Sequence, residues 1–303
     1  MIDSVKTILE KLDYKIDAED TRLIEFFNEN GYCIVPKSDL VANNLEEYRR
    51  VVDSLLQKES WRGGWEGKEE RMKYKGDYQP GANRLGNLFN KHELFIKLIT
   101  EKNILKIAYG IFGDDMQIDA LDMREPRKNK GGQAFHLDWV ARKENDKIQN
   151  MLVFPVLDDA NKSNGVIRFV PKSHKKTGYV EDHIADKLSH PEETSFELKK
   201  ACIVFMHGNL WHSGTTNTTG NRRRFLYLDI RRRNIPQLLN QRIYLDENTQ
   251  KKLTDSEKFL LCVGDNHPVF EPRSYEPPYV ANKTLMERRI SKLFKKLRND
   301  YDQ

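Results

Sequence analysis

The chain has 303 residues and a mass of 35.6 kDa, with 38% hydrophobic and 10% aromatic residues; it is long enough to bury a substantial core and is not a disordered tail. Its 51 Lys and Arg face 46 Asp and Glu, and the net charge of +5 is spread along the chain, which gives little reason to expect a nucleic-acid partner. Cys33, Cys202 and Cys262 lie far apart with no CxxC spacing, and the longest apolar stretch, residues 151–157, is far short of the roughly 20 residues of a membrane span, so a cytoplasmic protein with no membrane partner is expected.

In residues 4–30 the apolar positions recur at three and four (Val5, Ile8, Leu9, Leu12, then Leu23, Phe26, Phe27), the period of a helix. Asn30-Gly31 stops it, and residues 32–36 predict a short strand. Helical patterns return at residues 45–56 and 95–111. The glycine- and charge-rich residues 61–86 between them have the composition of a surface loop, and equally of a lid in which Trp61, Trp65, Tyr74 and Tyr78 would exclude water.

Beyond Gly113 the pattern changes to short β-favouring runs at residues 116–123, 134–140, 150–157, 166–170, 201–206 and 224–230. Asn164-Gly165, between two of them, predicts a hairpin turn. An antiparallel β unit follows, most simply a double-sheet barrel. The last seventy residues return to helix, with Met286, Ile290, Leu293, Phe294 and Leu297 on one basic face. The expectation is one domain, 1–303, mainly β with helical flanks: an N-terminal flank and candidate lid at 1–113, a barrel core at 114–233 and a helical C-terminal flank at 234–303.

His136 and Asp138 sit in the run Phe135-His136-Leu137-Asp138-Trp139, where a side-chain period of two puts imidazole and carboxylate on one face. His212 follows 74 residues after Asp138. Two neutral imidazoles and a carboxylate on one face of a metal form the triad that holds non-haem Fe(II), with open positions for a bidentate co-substrate and oxygen. Beyond His212 come Arg222, Arg223 and Arg224, and an arginine on a strand can grip a distal carboxylate through two parallel hydrogen bonds. Only Arg223 shares a face with Phe225 and Tyr227; Arg222 and Arg224 fit a solvated or phosphate-binding cluster equally well. His207 reads as a turn residue at a strand end and His174 as structural, while His92, His183, His190 and His267 lie among charged or loop residues and are expected to be exposed.

This ordered set resembles the phytanoyl-CoA dioxygenase family of Fe(II)/2-oxoglutarate oxygenases. The resemblance runs from Phe26-Phe27-Asn28-Glu29-Asn30-Gly31-Tyr32 through His136-Leu137-Asp138 and Asn164-Gly165 with Pro171-Lys172-Ser173-His174-Lys175, to Leu210-Trp211-His212 and the arginine eleven residues beyond it, about two thirds of the chain. It implies a double-stranded β-helix, a jelly-roll barrel, with iron held by His136, Asp138 and His212 and 2-oxoglutarate bound by Arg223. It also implies O2 as co-substrate and oxidation of an unactivated C–H bond, hydroxylation being the usual outcome and desaturation or ring closure available to the same site. Asp138 disfavours halogenation, for which related enzymes carry a small residue there. Leu137 stands where many members have Gln, and Lys172 replaces a usual Gly. Arg124, Glu125, Arg127, Lys128 and Lys130, with Trp61, Trp65 and Trp139, suggest a small polar metabolite bearing a carboxylate or similar anion as substrate. The rival reading is a non-catalytic barrel that binds an anionic ligand or nucleic acid through Arg222 to Arg224, Arg231 to Arg233 and residues 288–298.

Overall fold

The computed structural model describes residues 2–59, 81–237 and 239–263. Helix α1 (Val5–Lys11) begins where the Ser4 hydroxyl accepts from the Thr7 amide, and α2 (Ala18–Asn30) where Asp17 and Asp20 form a reciprocal capping box. The single helical pattern of residues 4–30 is therefore two helices. Gly31 ends α2 in the left-handed region, φ 85°, where a side chain would also collide with His174 and Leu210. Helices α3 (Asp39–Asn43) and α4 (Leu45–Glu59) follow, with a later helix at Lys102–Phe112. The pattern at 95–111 is interrupted because the Glu101 carboxylate turns back to accept from the Ile104 amide at 2.7 Å and caps the second half.

The strands are β1 (Tyr32–Val35), β2 (Ala82–Leu85), β3 (Gln117–Pro126), β4 (Asn150–Pro155), β5 (Ile167–Phe169), β6 (Thr194–Ser195), β7 (Ile203–His207), β8 (His212–Gly214) and β9 (Phe225–Arg231). They form a six-stranded sheet ordered β1-β7-β4-β9-β3-β2 and a three-stranded sheet ordered β6-β5-β8, with every pairing antiparallel. This is the double-stranded β-helix, mainly β with helical flanks. The core packs on both faces of the larger sheet. Leu226, Leu228 and Ile230 of β9 meet Met151, Val153, Ile104, Leu105 and Val52 on the helical side. Phe225, Phe154, Val204 and Met206 fill the barrel interior with Ile167 and Phe169 of the smaller sheet. Truncating one such buried side chain, as in Leu228→Ala, costs about 2–5 kcal/mol.

Three expectations are corrected. Residues 134–140 are not a strand: the segment makes one isolated bridge, His136 to His212. Asn164-Gly165 does not close a hairpin, because β4 and β5 belong to different sheets. Gly165 does take a positive φ, 99°, yet what the position requires is close approach, since a Cβ there would lie 2.8 Å from the Thr215 carbonyl and 3.3 Å from Arg223 Nη1. Residues 82–85, expected in the loop, are β2, an edge strand paired with β3; four residues with two polar side chains carried too little pattern to stand out. The rest of the candidate lid up to residue 80, the arginine-rich residues 288–298 and the terminal helical face lie outside the described residues.

Candidate active site

His212 opens β8, paired with Phe169 of β5 on one side and bridged to His136 on the other by two backbone hydrogen bonds of 3.0 Å. Its side chain is 10% exposed. Beneath it, the Trp211 amide donates to the Ser173 hydroxyl at 2.8 Å. Lys172, just before that serine, has φ 66°, a left-handed conformation in which glycine is unstrained, which accounts for the glycine common at this place.

The donor atoms of His136, Asp138 and His212 all lie within 4.8 Å of one another. His212 Nε2 is 3.2 Å from Asp138 Oδ2 and His136 Nε2 is 3.5 Å from Asp138 Oδ1. Each Nδ1 faces a backbone carbonyl, Ala134 at 2.9 Å for His136 and Leu210 at 3.0 Å for His212. A carbonyl can only accept, so Nδ1 carries the proton in both rings and the Nε2 lone pairs point at the carboxylate. Two Nε2 lone pairs and a carboxylate converge on one point, so the donor set fits a divalent metal. Without a cation the same charges show in the titration. Burial opposes charging of His136, but Asp138 outweighs it and raises its pKa; burial likewise opposes ionisation of Asp138, and the two imidazoles hold its pKa far below the carboxylate range.

Arg223 is 1% exposed, with its guanidinium 4.7 Å over the Phe225 ring, and Gly165 leaves it room. Its neighbours are engaged elsewhere. Arg222 pairs with Glu125 and Asp53, and Arg224 with Asp158 at 2.7 Å and Asp53 at 2.8 Å. Arg231 pairs with Asp119 and Asp229, and Arg232 with Asp115. Among the described residues, Arg222, Arg224, Arg231 and Arg232 are thus joined to acidic partners.

His207 and His174 stay out of the site, their rings 5.0 Å apart. His207 Nδ1 accepts from the Asn209 amide, and burial holds its pKa well below the usual histidine value. His174 faces the Asn28 carbonyl at 3.2 Å, and burial lowers its pKa to about 4. His190, expected to be exposed, is 9% exposed and packs edge-on to Phe135 and Trp211, the residues before His136 and His212; His92 is half-buried and caps the Glu93–Ile96 helix. Register adds residues that the motifs did not single out. Arg84 on β2 and Asp122 on β3 share the inward face of Tyr227 and Asp229 with Arg124, which the sequence already offers as a substrate contact and whose charge is felt at His136. Strict alternation with Phe225 could have flagged Tyr227, Asp229 and Arg231.

A double-stranded β-helix with two imidazoles and a carboxylate gathered at one point is the architecture of a non-haem iron oxygenase. The family model described as phytanoyl-CoA dioxygenase (PhyH) matches residues 27–225, and the chain belongs to that family. It is an Fe(II)- and 2-oxoglutarate-dependent dioxygenase that uses O2. Similar solved structures include SnoK, a non-heme α-ketoglutarate-dependent carbocyclase from nogalamycin biosynthesis (17% identity, TM-score 0.55, 77% of this chain and 87% of that one). AviO1 from Streptomyces viridochromogenes Tue57 is 19% identical with TM-score 0.56 over 73% of this chain and 98% of that one. HygX from Streptomyces hygroscopicus, with nickel and 2-oxoglutarate bound, is 13% identical with TM-score 0.54 over 71% and 88%. These likenesses show the fold. No curated protein matches the sequence. No helix among the described residues is long and apolar enough to cross a membrane.

Proposed function

We propose that the chain, as a single 303-residue oxygenase domain, oxidises an unactivated C–H bond of a small polar metabolite with an anionic group, hydroxylation being the outcome. The observation that carries this reading is the convergence of His136, Asp138 and His212 donor atoms within 4.8 Å at the barrel interior. These three hold iron, and Arg223 takes the distal carboxylate of 2-oxoglutarate through its planar fork. Bound there, iron and 2-oxoglutarate supply oxygen activation, with 2-oxoglutarate lost as succinate and carbon dioxide and one oxygen atom delivered to the substrate.

The protein's own part is orientation. The Ala134 and Leu210 carbonyls fix both imidazoles with Nε2 inward, and Asp138 adds a negative charge that offsets the metal. Phe154, Phe169, Phe225 and Met206 close the barrel against water. Arg84, Arg124, Asp122 and Asp229 make one barrel wall polar, which favours a polar substrate over a long acyl chain, with the two arginines facing its anionic group. HygX has been seen with hygromycin B and SnoN with a nogalamycin compound, small molecules in both cases. The engagement of Arg222, Arg224 and Arg231 to Arg233 argues against a basic docking face.

The test is anaerobic reconstitution with Fe(II), then succinate release from 2-oxoglutarate, followed by a metabolite screen read by mass. Gain of one oxygen supports hydroxylation; loss of two hydrogens would move the reading to desaturation or ring closure. No succinate in any condition would refute it.

A further inference from the structure

The segment that carries His136 and Asp138 lacks a strand's ladder, so something else must hold the carboxylate in place. Before Asp138 its backbone is tied by the His136–His212 bridge and by the Phe135 amide donating to the Lys187 carbonyl at 2.7 Å; from Asp138 on, the amides of Asp138 and Trp139 both donate to the Gly208 carbonyl, at 3.0 and 3.1 Å, and Asn209 Nδ2 donates to the Val140 carbonyl at 2.7 Å. Gly208 is itself pinned, since a Cβ there would sit 2.3 Å from Asn150 Oδ1 and 3.1 Å from Trp139 Cβ.

The next side chain meets a buried charge network. The Arg231 guanidinium lies 5.0 Å from the centroid of the Trp139 ring. Arg231 Nη2 is 2.6 Å from Asp229 Oδ2 and 2.8 Å from Asp119 Oδ2, and Arg231 Nη1 donates to the Pro236 carbonyl at 3.3 Å. Asn150 Nδ2 closes the set by donating to Asp229 Oδ1. Arg231 is thus 5% exposed, held on three sides, and presents a rigid planar face to the indole.

Resting on the proposed metal role of Asp138, we propose that Trp139, clamped between Gly208 and the Arg231–Asp229–Asn150 network, is a positioning residue that fixes the Asp138 carboxylate for the metal. The network does for this ligand what β-pairing does for His212. Residues that orient a metal ligand typically change metal affinity or activity by about 10–100-fold when removed.

The experiment is calorimetric titration with Mn(II), a redox-stable probe, beside thermal melting of the metal-free protein. Trp139→Leu is expected to weaken Mn(II) binding about 10–100-fold with an unchanged melting temperature, and Trp139→Phe, which keeps a ring under the guanidinium, to return to within a few-fold of wild type. Arg231→Lys keeps a charge beside both aspartates but loses the planar stack, and an intermediate loss is expected; it decides the matter if Trp139→Leu does not fold. Wild-type affinity in Trp139→Leu or in Arg231→Lys overturns the proposal, as does a Phe variant as weak as the Leu variant. Asp138→Ala is titrated alongside: if it binds Mn(II) as tightly as wild type, the metal site itself is misassigned, a result separate from the fate of Trp139.

Discussion

His212 lies in a strand hydrogen-bonded on both sides and is 10% exposed, whereas His136 and Asp138 lie in a segment with a single bridge and are 34% and 33% exposed. The first is positioned by a backbone ladder whose register the barrel imposes; His136 hangs from that ladder by the two hydrogen bonds of its bridge, and Asp138 is held by one backbone hydrogen bond to Gly208 and by side chains distant in sequence. A ligand held by a ladder shares the stability of the fold, and one held by side chains can be loosened while the fold stands.

The largest effect expected is loss of turnover. His136→Ala and His212→Ala should each bring succinate release to background, but only His212→Ala, which empties a buried position, should lower metal-free stability, by about 1–2 kcal/mol in a denaturant titration. Equal destabilisation by both variants would remove the distinction between the two segments.

Next is Arg223→Lys, which keeps the charge and loses the fork. The KM for 2-oxoglutarate should rise about 10–100-fold, more than the KM for the primary substrate, while Arg222→Lys leaves it within a few-fold. A larger effect at Arg222 or Arg224 would transfer the role.

The ladder side also carries a pH dependence. The His174 pKa is lowered by burial to about 4, against 6.5 for the free side chain, so the unfolded chain binds the extra proton between those values. Stability is therefore full above about pH 6.5, declines as pH falls towards 4 and levels below it, by on the order of 3 kcal/mol. Denaturant midpoints of wild type and His174→Gln across that range check it: the difference between the two should shrink as pH falls. A constant difference contradicts the assignment.

The smallest effect is expected at Lys172→Gly, which relieves a left-handed backbone but gives up an exposed pair with Glu29 at 2.8 Å; stability should stay within about 1 kcal/mol of wild type, on the stabilising side. A melting temperature several degrees lower would show that the pair outweighs the strain.

The contrast between the two segments also explains what could be read in the sequence. The strands β3, β4, β7 and β9 were legible because apolar runs in a two-sided core leave a strong local pattern. The three candidate ligands were legible because their residue types and order are themselves the signal. The conformation of residues 134–140 was not, because Phe135 and Trp139 favour a strand locally, while the carbonyls of Gly208 and Lys187, far away in sequence, take the amides that a neighbouring strand would need. Asn164-Gly165 misled for a similar reason: a turn-forming pair was used to make room for Arg223 rather than to join two paired strands. The pairing of Arg231 with Asp119 and Asp229 was not legible, because only the assembled sheet brings the three together.

The most direct test of the account is iron stoichiometry coupled to succinate release in the anaerobically reconstituted protein. The account predicts one Fe(II) per chain, succinate formed only with iron, 2-oxoglutarate and O2 together, and loss of both iron and succinate in the combined variant His136→Ala, Asp138→Ala and His212→Ala. Iron bound at wild-type stoichiometry in that variant, with succinate still released, would contradict it.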